Sequence, residues 1–261
     1  MRLTKLNYYS KKANFEYMSV SQWKSFNRCE NAALAELMGD FVREETPAML
    51  IGSYVDAYFS DEPEDFTAAH PQIFKKDGSL KADFIKANQL IDRINLDAAQ
   101  GGIFKKYLGG RHQKIMTGAI AGIPFKIKMD SYFPEKVIVD LKVVKDFMPI
   151  YDPVLKQSVP FVEFWGYDFQ GAVYQEIVRQ KTGLRLPFFI AAVTKETEPE
   201  LALMSIPQDR LDYCLAAVEA TAPHYDDIKH GRIPPQSCGI CKWCKSQKVV
   251  REIIDYRDLQ R

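Results

Sequence analysis

The chain has 261 residues, of which 46% are hydrophobic and 26% charged, and a formal net charge of +1. This is ordinary for a soluble globular protein with a full core, and it gives no global pull on nucleic acid, so any such contact must come from a local basic patch. No run approaches the ~20 apolar residues of a membrane span, and MRLTKLNYYSKK lacks the apolar centre of a signal peptide, which leaves a cytoplasmic protein without membrane contact as the expectation.

Residues 1–18 show no clear period and read as an extended lead-in. Ser19-Val-Ser21 has the form of a helix N-cap, and the spacing predicts a helix over residues 22–38 with Trp23, Phe26, Ala33, Leu34 and Leu37 inward. Cys29 falls inside it, where a small buried core residue is the plain reading. A second helix over residues 45–60 carries Pro47 in its first turn, and its Gly52 would admit a close backbone neighbour. Asp56 stands alone among Val55, Ala57, Tyr58 and Phe59, either buried or exposed. Residues 62–79, broken by Pro63, Pro71 and Gly78, read as a long loop, and residues 80–96 as a peripheral helix. A basic stretch at Lys105-Lys106 and Arg111 to Lys114 leads into a strand over residues 113–119.

The most informative stretch follows, GIPFKIKMDSYFPEKVIVDLKVV from Gly122 to Val144. Two alternating runs flank Phe133-Pro134-Glu135-Lys136, the pattern of a β-hairpin. A turn near Glu135 sets Asp130 opposite Asp140, Lys128 opposite Lys142 and Met129 opposite Leu141. One face would carry Phe125, Ile127, Met129, Val139, Leu141 and Val143; the other would carry Lys126, Lys128, Asp130, Asp140 and Lys142. Two facing carboxylates repel, and a divalent cation such as Mg²⁺ between them turns that penalty into binding. Lys142 could then reach a phosphate oxygen or a water, the ingredients of phosphodiester hydrolysis. A solvated face with ordinary charges is the alternative, opposed by the apolar density around it.

Residues 145–160 are irregular, with Phe147 and Tyr151 beside Lys145 and Lys156 as DNA contacts or core anchors. Residues 161–182 read as one long helix in which Gln170 and Tyr174 share a face and, if buried, need hydrogen-bond partners. Strands over residues 186–194 and 201–206 and a helix over residues 207–228 follow. Cys238, Cys241 and Cys244, spaced C-x2-C-x2-C, converge on a metal or cluster more readily than they form disulfides. Cys29 is the natural fourth ligand, with Cys214, His224 and His230 as rivals. Val249, Val250, Ile253 and Ile254 in the charged tail suggest a short helix and a partner surface.

Together these pieces resemble the PD-(D/E)xK nuclease superfamily, an α/β fold with an αβββαβ core and a mixed central sheet flanked by helices. Its core would map to residues 47–59, 113–119, 123–132, 137–144, 161–182 and 186–194. Asp130 matches the first acid, Asp140-Leu141-Lys142 the (D/E)xK triplet, and Gln170-Gly-Ala-Val-Tyr174 the QxxxY motif of the RecB-type and lambda-exonuclease-type branch. Gly52 to Asp56 falls where that branch carries a GxxxH-type motif, with Asp in place of His. SVSQWKSFNRCE with the C-terminal Cys triplet is similar to the iron–sulfur staple of AddB-type nucleases, with tighter spacing.

The resemblance, closest to phage RecE-like exonucleases over residues 19–246, implies one nuclease domain across residues 1–261. Its parts would be N-terminal helices (19–60), a catalytic core (113–194), a helix (207–230), the Cys cluster (236–246) and a tail (247–261). It implies an exonuclease using Mg²⁺ or Mn²⁺ on duplex DNA ends, 5′→3′, in phage-type recombination within a bacterial host. Asp130, Asp140, the Leu141 carbonyl and Asp56 would hold metal, with Lys142 beside them; Gln170 and Tyr174 would position the terminal nucleotide, and Lys126 and Lys128 would contact the DNA backbone. Cys29, Cys238, Cys241 and Cys244 would hold a [4Fe–4S] cluster, with Zn²⁺ as the alternative. A homo-oligomeric ring and a single-strand annealing partner also belong to this picture. The rival readings are an endonuclease or single-strand exonuclease of the same superfamily, and a non-catalytic protein that binds DNA or a partner.

Overall fold

Ala121 and Gly122 both take positive φ (48° and 79°), as a tight two-residue hairpin turn requires, and Glu135 does the same at 63° in the next reversal. In the computed structural model, which describes residues 1–44 and 46–258, these turns lay three strands side by side. They are β1 (Arg111–Ile120), β2 (Ile123–Phe133) and β3 (Val137–Val144). A small hairpin, β4 (Ile150–Asp152) with β5 (Gln157–Val159), interrupts the chain before β6 (Phe188–Thr194) and β7 (Leu201–Ser205) complete the main sheet. The sheet order is β1-β2-β3-β6-β7, with β3 and β6 parallel and the other neighbours antiparallel.

Helices cover both faces. In chain order they are α1 (Lys11–Glu16), α2 (Val20–Arg28), α3 (Glu30–Met38), α4 (Pro47–Phe59), α5 (Pro63–Ala69) and α6 (Ala82–Ala99). After them come α7 (Phe104–Leu108), α8 (Phe161–Phe164), α9 (Tyr167–Thr182), α10 (Gln208–Lys229) and α11 (Lys242–Ser246). One core packs Phe125, Ile127, Met129, Ile138 and Ile190 against Trp23, Phe26, Val173, Ile177 and Val218 of α2, α9 and α10. The other packs Val137, Val139, Leu141 and Val193 against Leu50, Val55, Leu90, Ile94 and Leu108 of α4, α6 and α7. Each such fully buried side chain contributes about 1.5–3 kcal/mol, so both layers are needed to hold the sheet. Gly171 lets α9 sit close, since a Cβ there would lie 2.7 Å from Phe188 Cδ1 and 3.0 Å from Leu211 Cδ2.

Several expectations need correction. The N-terminal lead-in contains α1, and the helix expected over residues 22–38 is two helices that break at Cys29. The loop over residues 62–79 contains α5 and a 3-10 turn at Pro71–Ile73. The helix expected at the periphery, α6, buries Phe84, Leu90, Ile91 and Ile94 in the second core. Gly166, with φ 63°, splits the long helix into α8 and α9. A Cβ at Gly52 would meet open space, so no backbone crosses there. No helix forms at residues 249–254, where the side chains of Val249, Val250 and Ile253 are exposed. Glu45, expected to open the second helix, lies outside the described residues, as does the end of the tail.

Candidate active site

β2 and β3 pair only at Ser131↔Val139, Tyr132↔Ile138 and Phe133↔Val137. This is the expected register, but it stops one step short of Asp130 and Asp140, and beyond it the strands part like the arms of a fork. Two features open the fork. β2 changes face: Phe125, Ile127, Met129 and then Tyr132 all point into the α9–α10 core, while Phe133 points into the other. Met18 meanwhile occupies the edge that β3 leaves, donating to the Pro124 carbonyl at 2.8 Å and accepting from the Lys126 N–H at 2.9 Å. The six apolar residues expected on one face are therefore divided. Phe125, Ile127 and Met129 face one core; Val139, Leu141 and Val143 face the other.

The fork gathers the acids. Asp130 Oδ2 accepts the Leu141 N–H at 3.0 Å, standing in for a ladder carbonyl. Gln170 Nε2 donates to Asp140 Oδ1 at 2.6 Å. The Lys142 ammonium forms an ion pair with the buried Asp140 Oδ2, which has no other polar partner among the described residues. Asp56 joins from α4, its Oδ2 accepting from Gln113 Nε2 at 3.1 Å. Gln113 holds a left-handed backbone (φ 51°) near the start of β1, between the His112↔Ser131 and Lys114↔Met129 pairs and hence across from Asp130. Strain of this kind persists only where the surroundings enforce it. A cleft of about 460 Å³ opens onto these groups, with Tyr8, Tyr9, Ser25 and Arg43 on its walls. A larger, shallower depression of about 650 Å³ beside Lys86, Arg93 and Glu198 assembles no comparable set.

Burial, then the charges of Asp140 and Asp56, push the Asp130 carboxyl well above the usual carboxylate range. Burial and Asp140 push Asp56 up as well. Burial opposes the charge of Lys142, but Asp140 and Asp130 outweigh it and hold the ammonium above its ordinary value. Crowded acids that resist ionisation, gathered around a single ammonium, fit a hard divalent cation, whose charge would reverse the repulsion.

The remaining expected residues divide. Tyr174 is buried and donates to the Lys128 carbonyl at 3.0 Å, and Gln170 is engaged with Asp140. The Tyr174 hydroxyl thus braces β2 and one Gln170 N–H holds Asp140, while both side chains line the cleft. Lys126 is 1% exposed, its ammonium held by the Tyr8 carbonyl and by Asn14 Oδ1, which removes it as a DNA contact and makes it an anchor for the N-terminal segment. Lys128 stays at the cleft, 4.8 Å from the centroid of the exposed Tyr9 ring. Gln113 and Ser60, which brace Asp56, carry no signature in the sequence.

The cysteines form a second set. Cys29 interrupts the helices with an extended backbone (φ −165°, ψ 108°). Its Sγ lies 3.5 Å from that of Cys244 and 3.8 Å from that of Cys241, and Cys238 lies 3.9 Å from Cys244. All four sulfurs fall within 4.8 Å of one another, and none is in a disulfide. The rivals stand apart: Cys214 is fully buried in the α9–α10 core, His224 pairs with Glu30 and His230 with Asp226. Burial resists ionisation of Cys238, but the N–H groups of Ile240 and Cys241 favour its thiolate and bring it down to about 6. A thiolate so prepared is a metal ligand.

A five-stranded mixed sheet with an acid–acid–lysine fork between its second and third strands defines a nuclease-like fold of the PD-(D/E)xK kind. The family model for a PDDEXK-like domain of unknown function (DUF3799) matches residues 19–247, and the chain belongs to that family. Among solved structures, a protein from Eubacterium rectale, provisionally named an exonuclease, is similar at 43% identity and a TM-score of 0.93, over 99% of this chain and 98% of its own. The structure of SSO0001 overlaps 72% of this chain and 82% of its own at 12% identity, with a TM-score of 0.26, too low to carry an argument. No functionally curated protein matches the chain. Among the described residues, no helix is long and apolar enough to cross a membrane.

Proposed function

We propose that this protein is a divalent-metal-dependent deoxyribonuclease that acts as an exonuclease at the ends of duplex DNA. The observation that carries the reading is the fork, where Asp130 and Asp140 meet around the Lys142 ammonium and the buried Asp140 Oδ2 has that ammonium as its partner. The exonuclease character is supported by the similarity to the Eubacterium rectale protein. Asp130, Asp140 and Asp56, with the Leu141 carbonyl, would hold Mg²⁺ or Mn²⁺. When bound, such an ion supplies Lewis-acid polarisation of the phosphodiester. Lys142 sets a positive charge where negative charge develops on the phosphate during in-line attack by water. Gln170 fixes the Asp140 carboxylate, and Tyr174 fixes the backbone of β2 at Lys128. The Lys128 ammonium, at the cleft, meets the DNA backbone, which makes binding salt-sensitive.

We read the four cysteines as a structural metal site. The resemblance brings a [4Fe–4S] cluster, while a second reading, a single ion such as Zn²⁺, is supported by four sulfurs that all lie within 4.8 Å of one another. A tetrahedral ion with metal–sulfur bonds of ~2.3 Å sets its sulfurs roughly 3.8 Å apart, whereas a cubane spreads them further. Iron, acid-labile sulfide and zinc analysis of anaerobically purified protein separates the two.

The test of activity is digestion of linear duplex DNA with Mg²⁺, beside a closed circular substrate and the Lys142→Ala protein. Exonuclease action degrades the linear DNA, spares the circle and is lost by roughly 10²–10³-fold in the variant. Linear DNA left intact by folded wild-type protein would overturn the reading. Cutting of the circle would replace it with an endonuclease.

A further inference from the structure

One cation in the SVSQWKSFNRCE stretch has no part in the cysteine group or in the acid–lysine set. Lys24, on α2, is partly buried, and its Nζ donates to the Trp165 carbonyl at 3.0 Å. It lies 5.7 Å from the centroid of the Tyr167 ring, and Lys142 Nζ lies 4.9 Å from the same ring. The stem of Lys24 runs across Gly166, where a Cβ would come within 3.0 Å of Lys24 Cδ. The left-handed φ of 63° favours glycine there, and a Cβ would crowd the lysine stem.

The surroundings of this ammonium are incomplete. Among the described residues no carboxylate forms an ion pair with it. The Trp165 carbonyl takes one of its three N–H donors and leaves two. Burial, with Lys142 and Arg28, works against its charge, and only the fields of Asp140 and Asp168 favour it; the balance lowers it to about 8, so it is still protonated at neutral pH. A partly buried charge without a counter-ion is costly unless the counter-ion arrives with a ligand.

We propose that Lys24 is a phosphate-binding residue of the candidate active site, a second ammonium beside Lys142 that grips the nucleic-acid strand as it enters the fork. The inference rests on the nuclease reading above. It gives α2 a direct part in substrate binding.

The experiment measures binding of the full chain to a labelled DNA duplex across a salt series, with Ca²⁺ in place of Mg²⁺, for the wild type, Lys24→Met and Lys24→Arg. Met keeps the length of the stem and removes the charge. Lys24→Met should bind at least about tenfold more weakly, the usual worth of a hydrogen bond to a charged group. The slope of log affinity against log salt should become shallower by about 0.9, the signature of one lost phosphate contact. Lys24→Arg should retain both, and the three proteins should melt together. Weaker binding with an unchanged slope would mark Lys24 as a structural residue and overturn the proposal, as would wild-type binding by Lys24→Met. Wild-type protein that neither binds nor cuts DNA overturns the nuclease reading itself, and this inference with it.

Discussion

In the fork between β2 and β3, Asp130 and Asp140 stand on strands held on both sides by helices, and Asp56 reaches them from α4; the four cysteines gather where α2 breaks and where the chain turns into α11. The acids come from rigid elements and repel one another, so that two of them are held above the usual carboxylate range. The thiols come from turns and from one interrupted helix, and backbone N–H groups already favour a thiolate at Cys238. A ligand set on rigid strands stores repulsion that a cation and substrate can release. A ligand set on turns closes around its ion and fastens distant parts of the chain, here Cys29 and Cys244, which are 215 positions apart. The contrast teaches which set to expect in chemistry and which in stability.

Cys29→Ser breaks the comparison most sharply if it is wrong. Structural thiolate sites are coupled to folding, and losing one ligand should cost several kcal/mol out of a total of roughly 5–15 kcal/mol. Circular dichroism should show a large fall in the melting midpoint, together with loss of bound metal. A variant that melts like the wild type would show that the cysteine group is not a fastening.

Asp130→Asn should separate activity from stability. Nuclease turnover should fall by about 10²–10³-fold, while the melting midpoint of the metal-free protein should rise at neutral pH. The sign follows from the raised carboxyl: the folded state binds this proton more tightly than the unfolded state does. That stabilisation is present in acid and is lost as pH rises through the folded value. The metal-free wild type should therefore gain stability as pH is lowered from neutral toward the mildly acid range, as far as these acids are concerned. Asp130→Asn should flatten that slope, and Mg²⁺ should raise the wild-type midpoint at neutral pH. Scanning calorimetry with and without Mg²⁺ reads all three.

Gly171→Ala probes the smallest effect. The added methyl would press on Phe188 and Leu211, with an expected cost of about 1–3 kcal/mol. Any loss of turnover should follow displacement of Gln170 from Asp140, so the substrate KM should change less than kcat.

Much of this was legible in the residues. The alternation from Gly122 to Val144 fixes the β2–β3 register, and the spacing of the cysteines marks a convergent set. The divergence after Ser131 was not legible, because its causes lie elsewhere in the chain. Met18 takes the vacated edge from more than a hundred positions away, and Gln113 braces Asp56 from a strained backbone that no local pattern announces. The burial of Lys126 was hidden for the same reason, since its acceptors are Tyr8 and Asn14. Local alternation reports which side chains want water. It does not report which distant segment arrives to take its place.

The short ladder between β2 and β3 has a mechanical consequence. Three pairs stitch the strands at one end only, at residues 131–133 and 137–139. β1 with β2 forms one leaf and β3 with β6 and β7 the other, each held by a longer ladder that is interrupted in the first leaf only at Gln113. Beyond the stitched end the tie between the leaves passes to a side chain, since Asp130 Oδ2 accepts the Leu141 N–H, and spreading the leaves would part that bond and separate the acids.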